Sequence, residues 1–151
     1  MNRIIIVILA VVCFSSPLWA NYKEALDKQD YATALEELMP LAQKGDAEAQ
    51  YNLGKLYHDG QGVPQDYAEA VKWFQKAADQ GNAKAQHNLG VMYYNGQGVP
   101  QNYVNAYMWL CLAAAEGDQR SVTARDVVVK KMTPTQIAEA QKLASKWKPK
   151  K

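Results

Sequence analysis

A nine-residue phrase is written twice in this chain, as DGQGVPQDY at 59–67 and as NGQGVPQNY at 95–103. The two occurrences lie 36 residues apart, and residues 45–80 and 81–116 agree at 19 of 36 aligned positions. Self-similarity at this length confines the fold to a stack of supersecondary units, because one such unit cannot bury its apolar face alone. A weaker half copy precedes the two: Asp30, Tyr31 and Ala34 fall one period before Asp66, Tyr67 and Ala70, and Gly45, Gly81 and Gly117 keep the same step.

Each unit reads as a pair of helices. Over 47–58, Ala49, Leu53, Leu56 and Tyr57 recur at helical spacing, with Glu48, Tyr51, Lys55 and His58 on the opposite side. Over 67–80, Tyr67, Ala70, Val71, Trp73, Phe74, Ala77 and Ala78 make one apolar face, and Asp66 stands where a cap is needed, with Glu69 three residues on. Between the helices, Gly60 and Gly62 permit a left-handed exit, and Pro64 keeps Val63 out of helix. The repeated phrase is therefore a connector, needed once per unit. A phosphate-cradling loop would need a preceding strand, and a P-loop a Gly-Lys-Ser/Thr ending as well; the sequence has neither. Gly54 and Gly90 sit inside helices, where glycine costs about 1 kcal/mol against alanine. They predict a close helix crossing, with Trp73 and Trp109 filling the gap between layers.

The ends depart from the period. Residues 21–28 and 31–43 form an opening pair, in which Pro40 is expected to kink or shorten the second helix. Residues 118–131 replace a first helix without the connector. Thr133-Pro134-Thr135-Gln136 then opens a last helix that buries Ile137, Ala140, Leu143, Ala144 and Trp147. The expected architecture is all-α, a right-handed α/α superhelix (solenoid) of about four antiparallel helix pairs. Its parts are an opening pair (21–44), two full units (45–80 and 81–116), capping helices (117–147) and a basic tail (148–151). Lys142, Lys146, Lys148, Lys150 and Lys151 are read as a solvated end.

Residues 1–20 stand apart. Asn2-Arg3 followed by an 11-residue apolar run, Ile4 to Phe14, and then by Ser15-Ser16-Pro17-Leu18-Trp19-Ala20 reads as a secretory signal cleaved after Ala20. The run is shorter than the roughly 20 residues of a membrane-spanning helix. What remains carries 16 basic and 15 acidic residues, since only Arg3 falls in the leader, and so lacks the charge footprint of a nucleic-acid binder. Cys13 leaves with the signal, so Cys111 stands alone: no internal disulfide and no cysteine-based zinc site are expected, with His58 and His87 the only imidazoles.

The residues of the two units resemble the Sel-one-like repeat (SLR), a relative of the tetratricopeptide repeat. The first unit supplies Ala49, Leu53-Gly54, Tyr57, Gly60-Gln61-Gly62-Val63, Asp66, Ala70, Trp73, Ala77-Ala78 and Gly81. The second supplies Ala85, Leu89-Gly90, Tyr93, Gly96-Gln97-Gly98-Val99, Asn102, Ala106, Trp109, Ala113-Ala114 and Gly117. The resemblance implies a non-enzymatic adaptor that binds a protein or peptide on a concave face lined by first helices. For exported members it implies a role at the cell envelope or in host interaction. Many relatives carry interhelical disulfides; this chain is similar to the cysteine-free bacterial type.

On that face the candidate partner-binding residues are Tyr51, Asn52, Lys55 and His58 of one unit and His87, Asn88, Val91 and Tyr94 of the next. Aromatics and an apolar valine on a solvent-facing line suit a docking surface. The expected protein is a monomer in the periplasm or secreted, with a protein or peptide partner and without a cofactor, a metal or a transmembrane segment after signal removal. The alternative is a β-lactamase-like or other periplasmic hydrolase. It rests on the Ser-x-x-Lys match Ser145 to Lys148, which lacks accompanying Ser-Asp-Asn and Lys-Thr-Gly motifs; no His-Glu-x-x-His is present either.

Overall fold

The computed structural model describes residues 21–150; the signal reading of 1–20, and Lys151 of the basic tail, lie outside the described residues. These fold into helices α1 (Asn21–Asp27), α2 (Tyr31–Gln43), α3 (Ala47–Asp59), α4 (Tyr67–Asp79), α5 (Ala83–Asn95), α6 (Tyr103–Ala115), α7 (Gln119–Val129) and α8 (Pro134–Lys146). Each helix from α1 to α6 packs on its successor in the chain, and α7 and α8 both lie on α6. Alternation of this kind between near neighbours is the packing of a helical solenoid.

The helix ends are set by the residues that recur. Asp66 accepts the amide of Glu69 at 3.0 Å, and Asn102 that of Asn105 at 3.0 Å, so each connector ends in the N-cap of the next helix. The first helices close on Gly60 (φ 67°) and Gly96 (φ 70°) in the left-handed region. Gln65 and Gln101 donate their side-chain amides to the carbonyls of His58 and Tyr94, both at 2.8 Å, satisfying orphan acceptors at those ends. Thr133 and Gln136 form a reciprocal capping box at the start of α8. Pro40 does not shorten α2, which runs on to Gln43; with its ring exposed, the missing amide is absorbed within the last turn.

The mid-helix glycines mark close crossings, as expected, but the residues that fill them are different. A Cβ on Gly54 would stand 2.7 Å from the ring of Phe74, and one on Gly90 2.7 Å from Leu110 Cγ. Phe74 and Leu110 are completely buried there. Trp73 is instead half-buried beside the N-terminal cluster, with Lys76 Nζ 4.4 Å above its ring. Trp109 is buried against the edge of Trp147, the ring centres 6.3 Å apart. One position separates Trp73 from Phe74, or about 100° of helix rotation, and that angle decides which ring meets the notch.

The C-terminal end corrects two further expectations. Leu143 is exposed, at the edge of an open hollow between α8 and the start of α6, because α8 has only α6 as its main neighbour. The lysines Lys142, Lys146, Lys148 and Lys150 are exposed, as expected, but the tail is not frayed: Trp147 and Pro149 lie over Gly81, the Lys150 amide donates to Asp79 O at 2.7 Å, and Lys150 Nζ reaches Asp79 Oδ2 at 2.6 Å.

Two buried glutamines hold the helical hairpins together, and the repeat exposes a flaw in the second. Gln50 donates to Ala42 O at 3.0 Å and receives Gln80 Nε2 at 2.8 Å, while the same Gln80 amide also reaches Gly45 O at 2.9 Å. One period on, Gln86 donates to Ala78 O at 3.2 Å, but its Oε1 has no partner among the described residues. The position equivalent to Gln80 is Glu116, whose carboxylate lacks the amide N–H donors of glutamine. Glu116→Gln is therefore expected to stabilise the chain by about 1 kcal/mol. Chemical denaturation of the two chains side by side checks this; an unchanged or lowered midpoint would show that the second unit has no use for the donor.

Candidate functional site

The first helices α3, α5 and α7 share one face, and the period places its rows. Glu48, Lys84 and Arg120 form one row, Tyr51, His87 and Thr123 the next, then Asn52, Asn88 and Ala124, then Lys55, Val91 and Val127, and finally His58, Tyr94 and Lys130. All of these side chains except Thr123 and Lys130 line three adjoining hollows. The central one, about 310 Å³, is walled by Tyr51, Lys55, His58, His87, Asn88 and Val91 together with Asp59, Met92 and Arg120. Tyr51 is shared with a hollow of about 390 Å³ that also takes in Asn52, Glu48 and Lys84. Val91 is shared with an apolar one of about 260 Å³ that also takes in Tyr94, Leu110, Ala124, Val127 and Val128. Six of the eight candidate residues thus meet in the central hollow, while Asn52 and Tyr94 lie in the hollows on either side.

The aromatic residues of the face are only partly free. Tyr51 packs with its ring centre 6.0 Å from that of Phe74, His58 lies 5.3 Å from Tyr67, and Tyr94 lies 5.7 Å from Tyr103. Second-helix rings therefore fix the orientation of first-helix side chains. Burial raises the Tyr51 phenol above its ordinary range.

Reading the chain unit by unit missed the contribution of α7. Arg120, Ala124 and Val127 follow from adding one period to Lys84, Asn88 and Val91, yet α7 lacks the connector that marks a unit and was read only as a cap. Arg120 is held by Asp118, its Nη2 2.8 Å from Oδ2 and its Nε 3.2 Å from Oδ1, and this contact holds the Asp118 carboxyl below the usual carboxylate range. His87 Nδ1 lies 2.8 Å from Ser121 Oγ, tying α5 to α7.

His87 is half-buried, and desolvation, followed by the nearby Arg120 charge, lowers its pKa from the ordinary value, with Asp118 opposing. A histidine depressed in the folded state binds its proton more readily in the unfolded chain. Its contribution is thus intact above about pH 6.5 and is lost as pH falls through that value towards the folded pKa. On going from about pH 7.5 to about pH 5.5, the fall in melting temperature is expected to be smaller for His87→Gln than for the parent. Equal falls in both chains would remove His87 from the account.

The Ser121 hydroxyl next to His87 is completely buried, so the pair links helices and is closed to a substrate. Ser145, of the Ser-x-x-Lys match, is exposed and donates to Lys142 O of its own helix at 2.9 Å, an ordinary end-of-helix bond that lends the hydrolase alternative no support. Among the described residues there is no group of three or more His, Cys, Asp or Glu placed to hold a metal ion, and no helix long and apolar enough to cross a membrane.

Paired helices, a glycine connector between them and one shared first-helix face define an α/α solenoid of the tetratricopeptide-like class. Residues 47–82 and 83–118 each match the Sel1 repeat, and the chain is a Sel1-like repeat solenoid. Among solved structures it is similar to c5321, a protective antigen of uropathogenic Escherichia coli with an SLR fold (32% identity, TM-score 0.79), over 83% of this chain and 28% of that one. It is also similar to a Sel1 repeat protein from Oxalobacter formigenes (43% identity, TM-score 0.60), over 61% of this chain and 27% of that one. The chain therefore spans little more than a quarter of the length of either protein. No curated protein matches it.

Proposed function

We propose that this protein is an exported, non-enzymatic interaction module that holds a protein or peptide partner on the α3–α5–α7 face and works as a monomer. Sel1 repeats are protein-interaction modules, and that class is the starting point. The observation that carries the reading is the run of three adjoining hollows on one face. Its polar and aromatic side chains are spread over three helices, with Lys55 exposed and Asn52 and Asn88 half-buried. Export rests on the charged start and short apolar run of residues 1–20. The short array suits a short stretch of a partner rather than a long one.

The test is partner capture from envelope extract by the parent protein and by a variant with Tyr51, Lys55, His87 and Tyr94 changed to alanine. Loss of the captured partner, with the circular dichroism spectrum preserved, is expected. Retention of every partner by the folded variant would move the binding site elsewhere.

A further inference from the structure

The charges on the groove are unevenly answered, and this asymmetry bears on what lies in it. Two of its carboxylates are paired with cations, Glu48 with Lys23 at 3.2 Å and Asp118 with Arg120 at 2.8 Å, and Asp59 is hydrogen-bonded to His58 Nδ1 at 2.7 Å. Among the described residues, no carboxylate lies within ion-pair distance of Lys55, Lys84 or Lys130, one of which stands on each of α3, α5 and the end of α7. Lys84 has only the ring of Tyr51, 5.9 Å away. Lys55 and Lys84 line the hollows, while Lys130 ends the last row outside them. The groove therefore carries a surplus of positive charge, although the protein as a whole is close to neutral.

The same groove ends in an apolar hollow. Val127 is 45% exposed, one of two large hydrophobic residues so open to solvent among the described residues, and with Val91, Val128 and Leu110 it forms a cavity of about 260 Å³. A volume of that order accepts one or two apolar side chains. A hollow of this kind gives an anchor, and flanking cations select the sign of what lies beside it.

Resting on the reading of this face as the docking surface, we infer that its occupant is an acidic peptide segment of a partner protein with an apolar anchor residue. The anchor fills the hollow at Val91 and Val127, and carboxylates lie along Lys55 and Lys84. A basic segment would meet the same lysines as like charges and is excluded by them.

The probe is a set of three fluorescein-labelled synthetic peptides of equal length: a leucine flanked by glutamates, the same leucine flanked by lysines, and the glutamate peptide with serine in place of leucine. Anisotropy titration on the purified protein is expected to show the first binding at least about tenfold tighter than either control, and weakening as salt is raised. Lys55→Glu with Lys84→Glu is expected to weaken the first peptide by about tenfold or more, and Val127→Asp by a similar factor. Equal binding of acidic and basic peptides, or acidic binding that survives the charge reversal in a protein of unchanged circular dichroism, overturns the inference. Partner capture separates the two levels. If capture depends on the face while the acidic peptide shows no preference, the peptide chemistry is wrong and the docking surface stands; if capture ignores the face, both fall.

Discussion

Phe74→Ala is expected to lower the unfolding free energy by about 3–5 kcal/mol, against a total of about 5–15 kcal/mol for an ordinary domain. Phe74 is completely buried, and its ring is the object that the absent Cβ of Gly54 makes room for. It also supports the binding face from beneath, since the Tyr51 and His58 rings rest 6.0 and 6.5 Å from it. Emptying the site leaves a void that helices α3 and α4 can close only by sliding together, and Leu53 and Ala70, both fully buried, stand in the way of that collapse. The comparison that gives the measurement meaning is Trp73→Ala, one position along and half-buried. Urea denaturation should show the phenylalanine variant as the less stable of the two. If the tryptophan variant proves the more damaged, the indole holds the layers apart and the packing described above is mistaken.

The second large effect is expected at Gly98. Its φ of 69° lies in the left-handed region, and a Cβ there would run into the Tyr67 carbonyl group at the start of α4, with Ala68 N only 2.8 Å away. Strain of about 1–2 kcal/mol for a left-handed non-glycine residue adds to a backbone collision of about 1–3 kcal/mol that no side-chain rotation relieves. Gly98→Ala is thus expected to cost about 3 kcal/mol or more in thermal or urea unfolding. Gly117→Ala is the matched control: its φ is 91°, but nothing lies within 4 Å of the added carbon. That variant should lose only the conformational part, about 1–2 kcal/mol. Equal losses at the two positions would show that the connector does not press on the preceding unit.

The same contact accounts for the repetition of GQGVPQ at 60–65 and 96–101. Gly62 meets Tyr31 at the start of α2 as Gly98 meets Tyr67 at the start of α4, so each connector leans on the second helix of the unit before it. Gln61 adds a bond from its side-chain amide to the Tyr31 hydroxyl at 3.0 Å. The phrase thus turns the chain and also spaces the stack. The first role could be read from glycine and proline placement; the second required knowing what lies across the loop.

Much of the fold was legible for the same reason. Helix bounds, caps and the capping box at Thr133 depend on local chemistry that short stretches of sequence carry in full. Legibility failed where rotation or distant partners decide the outcome. Nothing in Trp73-Phe74 says which ring faces Gly54, since both belong to one apolar arc. The docking of the tail was hidden because Asp79 is 71 residues away. On the candidate face, four positions on α3 and the four equivalent ones on α5 were readable from helical spacing alone, but their continuation into α7 was hidden by the loss of the connector. The link from His87 to Ser121 spans 34 residues, two short of the period, so no repeat alignment pairs them.

The docked tail changes how the array comes apart. A column of helices that touch mainly their chain neighbours can unravel from an end, one hairpin at a time. By fastening residue 150 to residue 79, the tail makes the C-terminal half a closed circuit, so unzipping from that side has to open the clasp before α8 can leave. Trimming the chain after Lys146 should therefore quicken amide hydrogen exchange in α8 and along α6 while leaving α2 and α3 as slow as before, and the affected helices would map the circuit directly.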